Sequence, residues 1–250
     1  MPNLPKHIQL AILSANNINM SIINNNIGYY LLGSTTPDMH VILKNKEHNR
    51  EKYHFSTLSV NKIGEGIENI ISKFPEIINI RKETPETQAF FAGYISHLIA
   101  DEMWINKIFR PYFGNNAIFN DKIFGLLMDR AIQLDMDREI WHVLNDSLKS
   151  INNADKSVNI KFINNNNLNR WRKWITNLLS TDFSWQRLKF MAKRIEKNNP
   201  NKSVNQMSDN FLKSIDINLE KIYSKVSKSE IIKYEKETTQ ITTKSVGDLI

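Results

Sequence analysis

The sequence predicts an all-α protein built as a single multi-helix domain. Three observations carry that reading. Glycine and proline are scarce, 8 and 7 in 250 residues, so few positions break a helix. Long stretches place apolar side chains at three- and four-residue spacing. No stretch forms a convincing βαβ unit, and no internal repeat is present. A hydrophobic content of 41% is enough for a real core.

In order along the chain, the spacing predicts a helix over 6–20 and a short one over 27–32, followed by a loop-rich stretch over 33–57. Helices are then expected over 60–74, 86–109, 121–134 and 138–151. Thr84-Pro85-Glu86 is a helix start, with Thr84 as cap and Pro85 at the first helical position. Gly114 and the Asn pair after it suit a stop. The segment 151–168, with its run Asn164–Asn167, reads as a polar surface loop. Amphipathic patterns follow over 167–180 and 184–197, and a further helix over 205–226. The last residues, rich in Thr and Lys, show no clear period and read as a frayed tail or an edge strand. The expected organisation is thus a helical core over 1–150, the loop 151–168, further helices over 169–235 packed on the same core, and a tail over 236–250.

Composition narrows the chemistry. With no cysteine, disulfides, thiolate catalysis and Cys-containing zinc sites are excluded, and a metal would need His, Asp, Glu and water. A net charge of +7 favours anionic partners. No apolar run approaches the roughly 20 residues that cross a bilayer. The start, MPNLPKHIQLAILSANN, lacks a signal peptide's apolar centre and cleavage site, so the expected location is the cytoplasm.

The stretch AGYISHLIADEMWI (92–105) is apolar nearly all round yet carries His97, Asp101 and Glu102. An unpaired buried carboxylate is costly, so these groups need partners. His97 and Asp101 stand at i and i+4 and share a helix face. Taken alone, the pair reads first as a core hydrogen bond in which Asp101 orients His97. Glu102 lies about 100° around the helix and reads as structural. Three more groups sit in conspicuous contexts: His7 at the first turn of the first helix, Asp38 ending the turn GSTTPD, and His54 between aromatic neighbours in YHFS. Imidazoles and carboxylates suit zinc, and also iron or manganese.

PNLPKH, GSTTPD, YHFS and GYISHLIADE, in this order and continuing through FRPYFG at 109–114, resemble the zinc-dependent phospholipases C and their bacterial and archaeal relatives. The resemblance covers about the first 115 residues. It implies an all-α fold shared with single-strand-specific zinc nucleases, and one to three zinc ions. Asp38, His54, His97 and Asp101 would hold one ion, and Asp101 would bridge to a second held also by His7. The family's remaining ion uses a His-x-x-x-Glu pair and an earlier His. Here His142 and Asp146 in HVLND are the nearest match, with Asp129, Asp135 or Glu102 as candidates for the missing ligand. Secreted members also use a processed amino-terminal tryptophan, whereas this chain begins Met1-Pro2.

The implied activity is metal-dependent hydrolysis of phosphoric esters, with Asp38 ligating the ion and orienting or deprotonating the attacking water. The substrate is an anionic phosphoester, and nucleic acid stays open as a partner through a nuclease alternative. An iron-dependent oxidase and a non-catalytic, metal-stabilised binding module are the other readings. Among lesser candidates, His48 reads as a solvated loop residue and His40 as exposed or adjacent to the site. His142, three residues after Glu139, is as readily a core histidine as a ligand. Trp171, Trp174 and Trp185, interleaved with Arg172, Lys173 and Arg187, read mainly as the core side of helices, with base stacking or membrane contact as the alternative.

Overall fold

The computed structural model describes residues 1–43, 49–114, 118–119 and 121–250, and the regular elements among them are all helical. His48 lies outside the described residues. The chain begins with α1 (Leu4–Ile18), α2 (Ser21–Asn24), α3 (Ile27–Gly33), a 3-10 segment Thr36–Ile42 and α4 (Arg50–His54). Next come α5 (Glu65–Lys73), a 3-10 segment Pro75–Lys82 and α6 (Pro85–Trp104), which runs on as a π-helical stretch Ile105–Phe113. Then follow α7 (Lys122–Ile140), a 3-10 turn Trp141–Val143, α8 (Leu144–Asn152) and α9 (Asn165–Leu179). The chain ends with α10 (Arg187–Lys197), α11 (Val204–Leu212), α12 (Ile215–Tyr223) and α13 (Lys228–Leu249). Among the described residues, no helix is long and apolar enough to cross a membrane.

The centre is α6. Every residue from Thr87 to Trp104 is buried, as a helix apolar on all sides requires. Its start is the predicted one: the Thr84 hydroxyl accepts the Thr87 N–H and Pro85 opens the helix, a cap contributing about 1 kcal/mol. Helices α1, α3 and α13 pack around it, and apolar side chains from α1 through α13 form one continuous core. The α3 and α6 backbones nearly touch. A Cβ at Gly93 would fall 1.8 Å from the Tyr30 carbonyl oxygen, and one at Gly33 would fall 2.0 Å from that of Phe90. Only glycine permits that crossing, and the crossing brings the turn after α3 onto the face of α6 that carries His97.

Several boundaries differ from the sequence reading, each for a local reason. The helix expected from residue 60 starts at Glu65, because Gly64 takes φ +93° and the N-terminus of α5 is held by Glu102. The break expected near residue 135 falls at Trp141. Asp135 and Asp137 lie inside α7, buried and partnered by Arg138 and Asn3 respectively, so they do not end it. The expected loop at 33–57 contains the 3-10 segment and α4. The run Asn164–Asn167 is not loop: Asn164 caps α9 by accepting the Asn167 N–H, and the helix begins at Asn165. The helix expected over 205–226 is two, interrupted before Ile215.

The largest correction is the tail. Residues 236–250 are neither frayed nor strand; they form most of α13, which packs on α1 and α6. Ile231, Tyr234, Thr238, Thr242 and Val246 make its buried face. Threonines occupy positions where a clear apolar stripe would have had aliphatic residues, which hid the helical period. Tyr234 donates to the Ala100 carbonyl at 3.1 Å and meets Trp104 edge to face. Lys6 of α1 pairs with Glu235.

Candidate metal centre

Four separate segments deliver the five singled-out residues to one place. His7 comes from the first turn of α1, Asp38 from the 3-10 segment, His54 from the end of α4, and His97 and Asp101 from one face of α6. His54 Nε2 lies 3.1 Å from Asp101 Oδ2, 3.5 Å from Asp38 Oδ1 and 3.2 Å from His97 Nε2. His97 Nε2 is 3.7 Å from Asp101 Oδ2, and His7 Nε2 is 3.3 Å from Asp101 Oδ1. The rings of His7 and His97 stack with centroids 3.8 Å apart. Asp101 therefore turns one oxygen to His7 and the other to His54 and His97, the orientation of a carboxylate shared between two positions.

The tautomers follow from the surroundings. His97 Nδ1 faces the Ser34 carbonyl at 2.8 Å, and His54 Nδ1 faces the Arg50 carbonyl at 3.1 Å. A carbonyl only accepts, so each Nδ1 carries hydrogen and donates. Burial, followed by the charge of His7, holds the His97 imidazole well below its ordinary pKa against the pull of Asp101. His97 is thus neutral at pH 7, and its Nε2 presents a lone pair. Lone pairs and carboxylate oxygens converge here in a buried site, which is unfavourable unless a cation joins them.

The hydrogen-bond accounting agrees. Among the described residues, neither ring nitrogen of His7 has a hydrogen-bond partner, nor has Asp101 Oδ1, although all three are buried; the His7–Asp101 approach is close but not aligned as a hydrogen bond. Imidazoles that donate one N–H to backbone and leave the other nitrogen free match the usual arrangement of metal-bound histidine. The donor atoms of His54, His97 and Asp101 lie within 4.8 Å of one another, as do those of His7, Asp38 and His97. The residues present therefore fit a divalent ion of the zinc type.

The remaining candidates lie elsewhere. His142 sits exposed in the turn after α7, and Asp146 is a surface residue, 92% exposed and paired with Lys149. Neither joins any group of three metal-binding side chains among the described residues. The substitutes weighed for them have protein partners of their own. Asp129 accepts from Trp104 Nε1 at 3.0 Å and Gln133 Nε2 at 2.8 Å. Asp135 accepts from Arg138 and from the Tyr223 hydroxyl. Glu102 accepts the Gly64 and Gly66 N–H groups, and burial pushes its carboxyl up to about 7.

The structure sets His40, read from the sequence as exposed or adjacent to the site, beside the cluster, and adds Arg50, which that reading did not single out. His40 joins Asp38 and His54 in a third group, its Nδ1 donating to the Pro37 carbonyl at 3.1 Å and its pKa lowered chiefly by burial. Arg50, one turn before His54, donates to Asp101 Oδ2 at 3.1 Å. Its i, i−4 relation to His54 was the available signal, concealed by the charged segment around it.

Of the five singled-out residues, Asp38 reaches a cleft of ≈ 610 Å³, lined by Asp38, His40 and Arg50 at one part, and elsewhere by Trp141, Trp171, Trp174, Leu178, Met191 and Ile195 together with Arg130, Arg187 and Arg194. Trp171 is buried, as expected for a core residue, and stacks on Trp174, which is 37% exposed.

An all-helical scaffold with imidazoles and carboxylates gathered beside a cleft defines a class, that of helical proteins whose His and Asp groups can bind a metal. Residues 6–188 match the model of zinc dependent phospholipase C, and the chain belongs to that family. No curated protein and no solved structure matches it.

Proposed function

We propose that this protein is a phospholipase C-like phosphodiesterase that hydrolyses an amphiphilic phosphoric ester at a two-ion zinc site. The observation that carries the reading is the meeting of His7, Asp38, His54, His97 and Asp101 behind a cleft that Asp38 lines and whose other walls are largely aromatic and aliphatic. His54, His97 and Asp38 would hold one ion with Asp101 Oδ2, and His7 with Asp101 Oδ1 the second. Bound zinc supplies Lewis acidity, lowering the pKa of water toward about 7 and polarising a phosphoryl oxygen.

The chain's own groups divide the remaining work. Asp101, 3% exposed, is fixed among imidazoles and serves to hold. Asp38, 23% exposed and lining the cleft, is the carboxylate that reaches solvent, so it orients the attacking water and accepts its proton. The Ser34 and Arg50 carbonyls fix the tautomers of His97 and His54. The apolar wall accommodates the non-polar part of the substrate and excludes water from it.

The test is hydrolysis of a chromogenic phosphodiester and of short-chain phospholipids, with and without zinc, by wild type and Asp38→Asn. Zinc-dependent turnover that prefers the amphiphilic ester and falls at least a hundredfold in the variant supports the reading. The arginines and Trp174 of the cleft equally suit a single-stranded nucleic acid. Cleavage of single-stranded DNA that declines steeply with salt would transfer the assignment to a nuclease.

A further inference from the structure

Arg50 opens α4, and its backbone and side chain serve two ends. Its carbonyl sets the tautomer of His54 one turn later. Its guanidinium reaches over the cluster, with Nη2 donating to Asp101 Oδ2 at 3.1 Å and Nη1 to the Ser56 carbonyl at 2.9 Å. Nε and Nη2 also face the Met1 sulfur, at 3.2 and 3.0 Å, which is a weak acceptor. A guanidinium has five N–H donors in a rigid fork. Two meet oxygen acceptors and two face only the weak sulfur, so the fork is anchored, with one Nη1 hydrogen and the sulfur-facing donors open to a stronger acceptor. The side chain is 16% exposed and lines the cleft together with Asp38 and His40.

A guanidinium used only as counter-ion to Asp101 would be expected to turn its whole fork to that carboxylate. Arg50 instead touches Asp101 through one nitrogen, is braced by a backbone carbonyl, and keeps a face on the cleft beside the carboxylate assigned to water. Such a guanidinium offers an anion donors in a fixed position, adjoining the place where phosphorus would react.

We propose that Arg50 is a further catalytic residue, binding a non-bridging oxygen of the substrate phosphoryl group and stabilising the charge that grows there during displacement. The inference rests on the phosphodiesterase reading and deepens it, because it names the group that recognises the phosphate itself. The planar fork matches phosphate geometry, and lysine, a point charge on a flexible stem, reproduces the charge without the fork.

The experiment titrates inorganic phosphate into zinc-loaded wild type, Arg50→Gln and Arg50→Lys by calorimetry, with zinc content and melting temperature measured on the same samples. The expected result is phosphate binding weakened at least tenfold in Arg50→Gln, about 1.4 kcal/mol, and by less in Arg50→Lys, with zinc content equal to wild type. Turnover of a soluble diester should fall mainly in kcat. Should Arg50→Gln fail to fold, Arg50→Lys carries the same comparison. Phosphate affinity unchanged in the folded variants overturns the proposal. So does zinc content reduced in step with affinity, since Arg50 would then act by holding Asp101 for the ion. A wild-type protein that binds zinc but no phosphate also overturns it. Phosphate binding lost in the variants while wild type hydrolyses no ester leaves Arg50 an anion-binding residue, and it is the hydrolase reading that fails.

Discussion

His97 Nδ1 donates to the carbonyl oxygen of Ser34 across 2.8 Å, joining residues 63 positions apart. This bond determines which nitrogen of His97 faces the site. Its geometry depends on the α3–α6 crossing, in which Gly33 and Gly93 let two backbones meet at Cβ-excluding distance. The site is therefore a consequence of helix packing, and the predictions below separate the two.

Gly93→Ala should destabilise the fold, because the added methyl meets the Tyr30 carbonyl at 1.8 Å and backbone must move. Overpacking of this kind typically costs about 1–3 kcal/mol, and the displaced α3 should weaken zinc binding as well. Gly247→Ala, in α13 with no atom within 4 Å of the new Cβ, should be neutral or stabilising by up to about 1 kcal/mol. Urea unfolding of both variants checks this, and equal effects would show that the crossing is looser than its distances.

Asp101→Ala should release every bound ion, since its two oxygens face different imidazole groups. Elemental analysis of protein purified without chelator measures it. Loss of only part of the wild-type zinc would make Asp101 a ligand to one position rather than a bridge. Where zinc is bound, chelation should lower the melting temperature, because an ion at about 100 times its Kd adds about 2.7 kcal/mol.

Glu102→Gln tests the opposite role. Its carboxylate caps α5 through Gly64 and Gly66, so the amide, with a single acceptor oxygen, should cost about 1–2 kcal/mol of stability. Zinc content should stay at the wild-type level. A fall in metal content with unchanged stability would instead place Glu102 among the ligands.

How much of this was legible follows from the kind of signal each residue carries. His97 and Asp101 stand four residues apart, and helical periodicity alone puts them on one face. That His7, Asp38 and His54 join them depends on tertiary packing, which spacing does not encode; there the four motifs in fixed order carried the reading. His142 and Asp146 satisfied a spacing pattern, but the fold leaves them exposed. Burial of α7 likewise bears on its end, expected at 134: Asp135 and Asp137 continue the helix because a carboxylate, polar in the sequence, is satisfied here by Arg138 and by Asn3. Arg50 stayed hidden inside a charged segment whose neighbours at 44–48 lie outside the described residues.

Asp137 yields a pH prediction. Burial pushes its carboxyl up to about 7 despite the Asn3 hydrogen bond and the charge of Lys6. A folded-state pKa above the unfolded one means that the native state holds the proton more tightly. Stability from this group is complete below about pH 4 and declines as pH rises toward about 7. Asp137→Asn keeps an oxygen for Asn3 Nδ2 and removes the titration, so it should gain on wild type between about pH 4 and about pH 8. Denaturant midpoints across that range decide it, and parallel curves would rule out this origin.

Thr242 tests why α13 escaped notice. Its hydroxyl is buried with no hydrogen-bond partner, on the face of α13 that packs into the core. An unpaired buried hydroxyl costs about 1–3 kcal/mol, and valine replaces it with a methyl of similar shape. Thr242→Val should therefore raise stability, by about 0.5–2 kcal/mol, against the intrinsic helix preference, in which the two residues are close. The same change also restores an aliphatic residue to the helical stripe, so the variant sequence would read as a helix where the natural one reads as a tail. Thermal melts of Thr242→Val beside Thr243→Val supply the control, because Thr243 already donates to the Thr239 carbonyl at 2.9 Å and its replacement breaks a bond. Stabilisation at 242 with none at 243 is the expected result; the reverse order would mean that α13 does not present this face to the core.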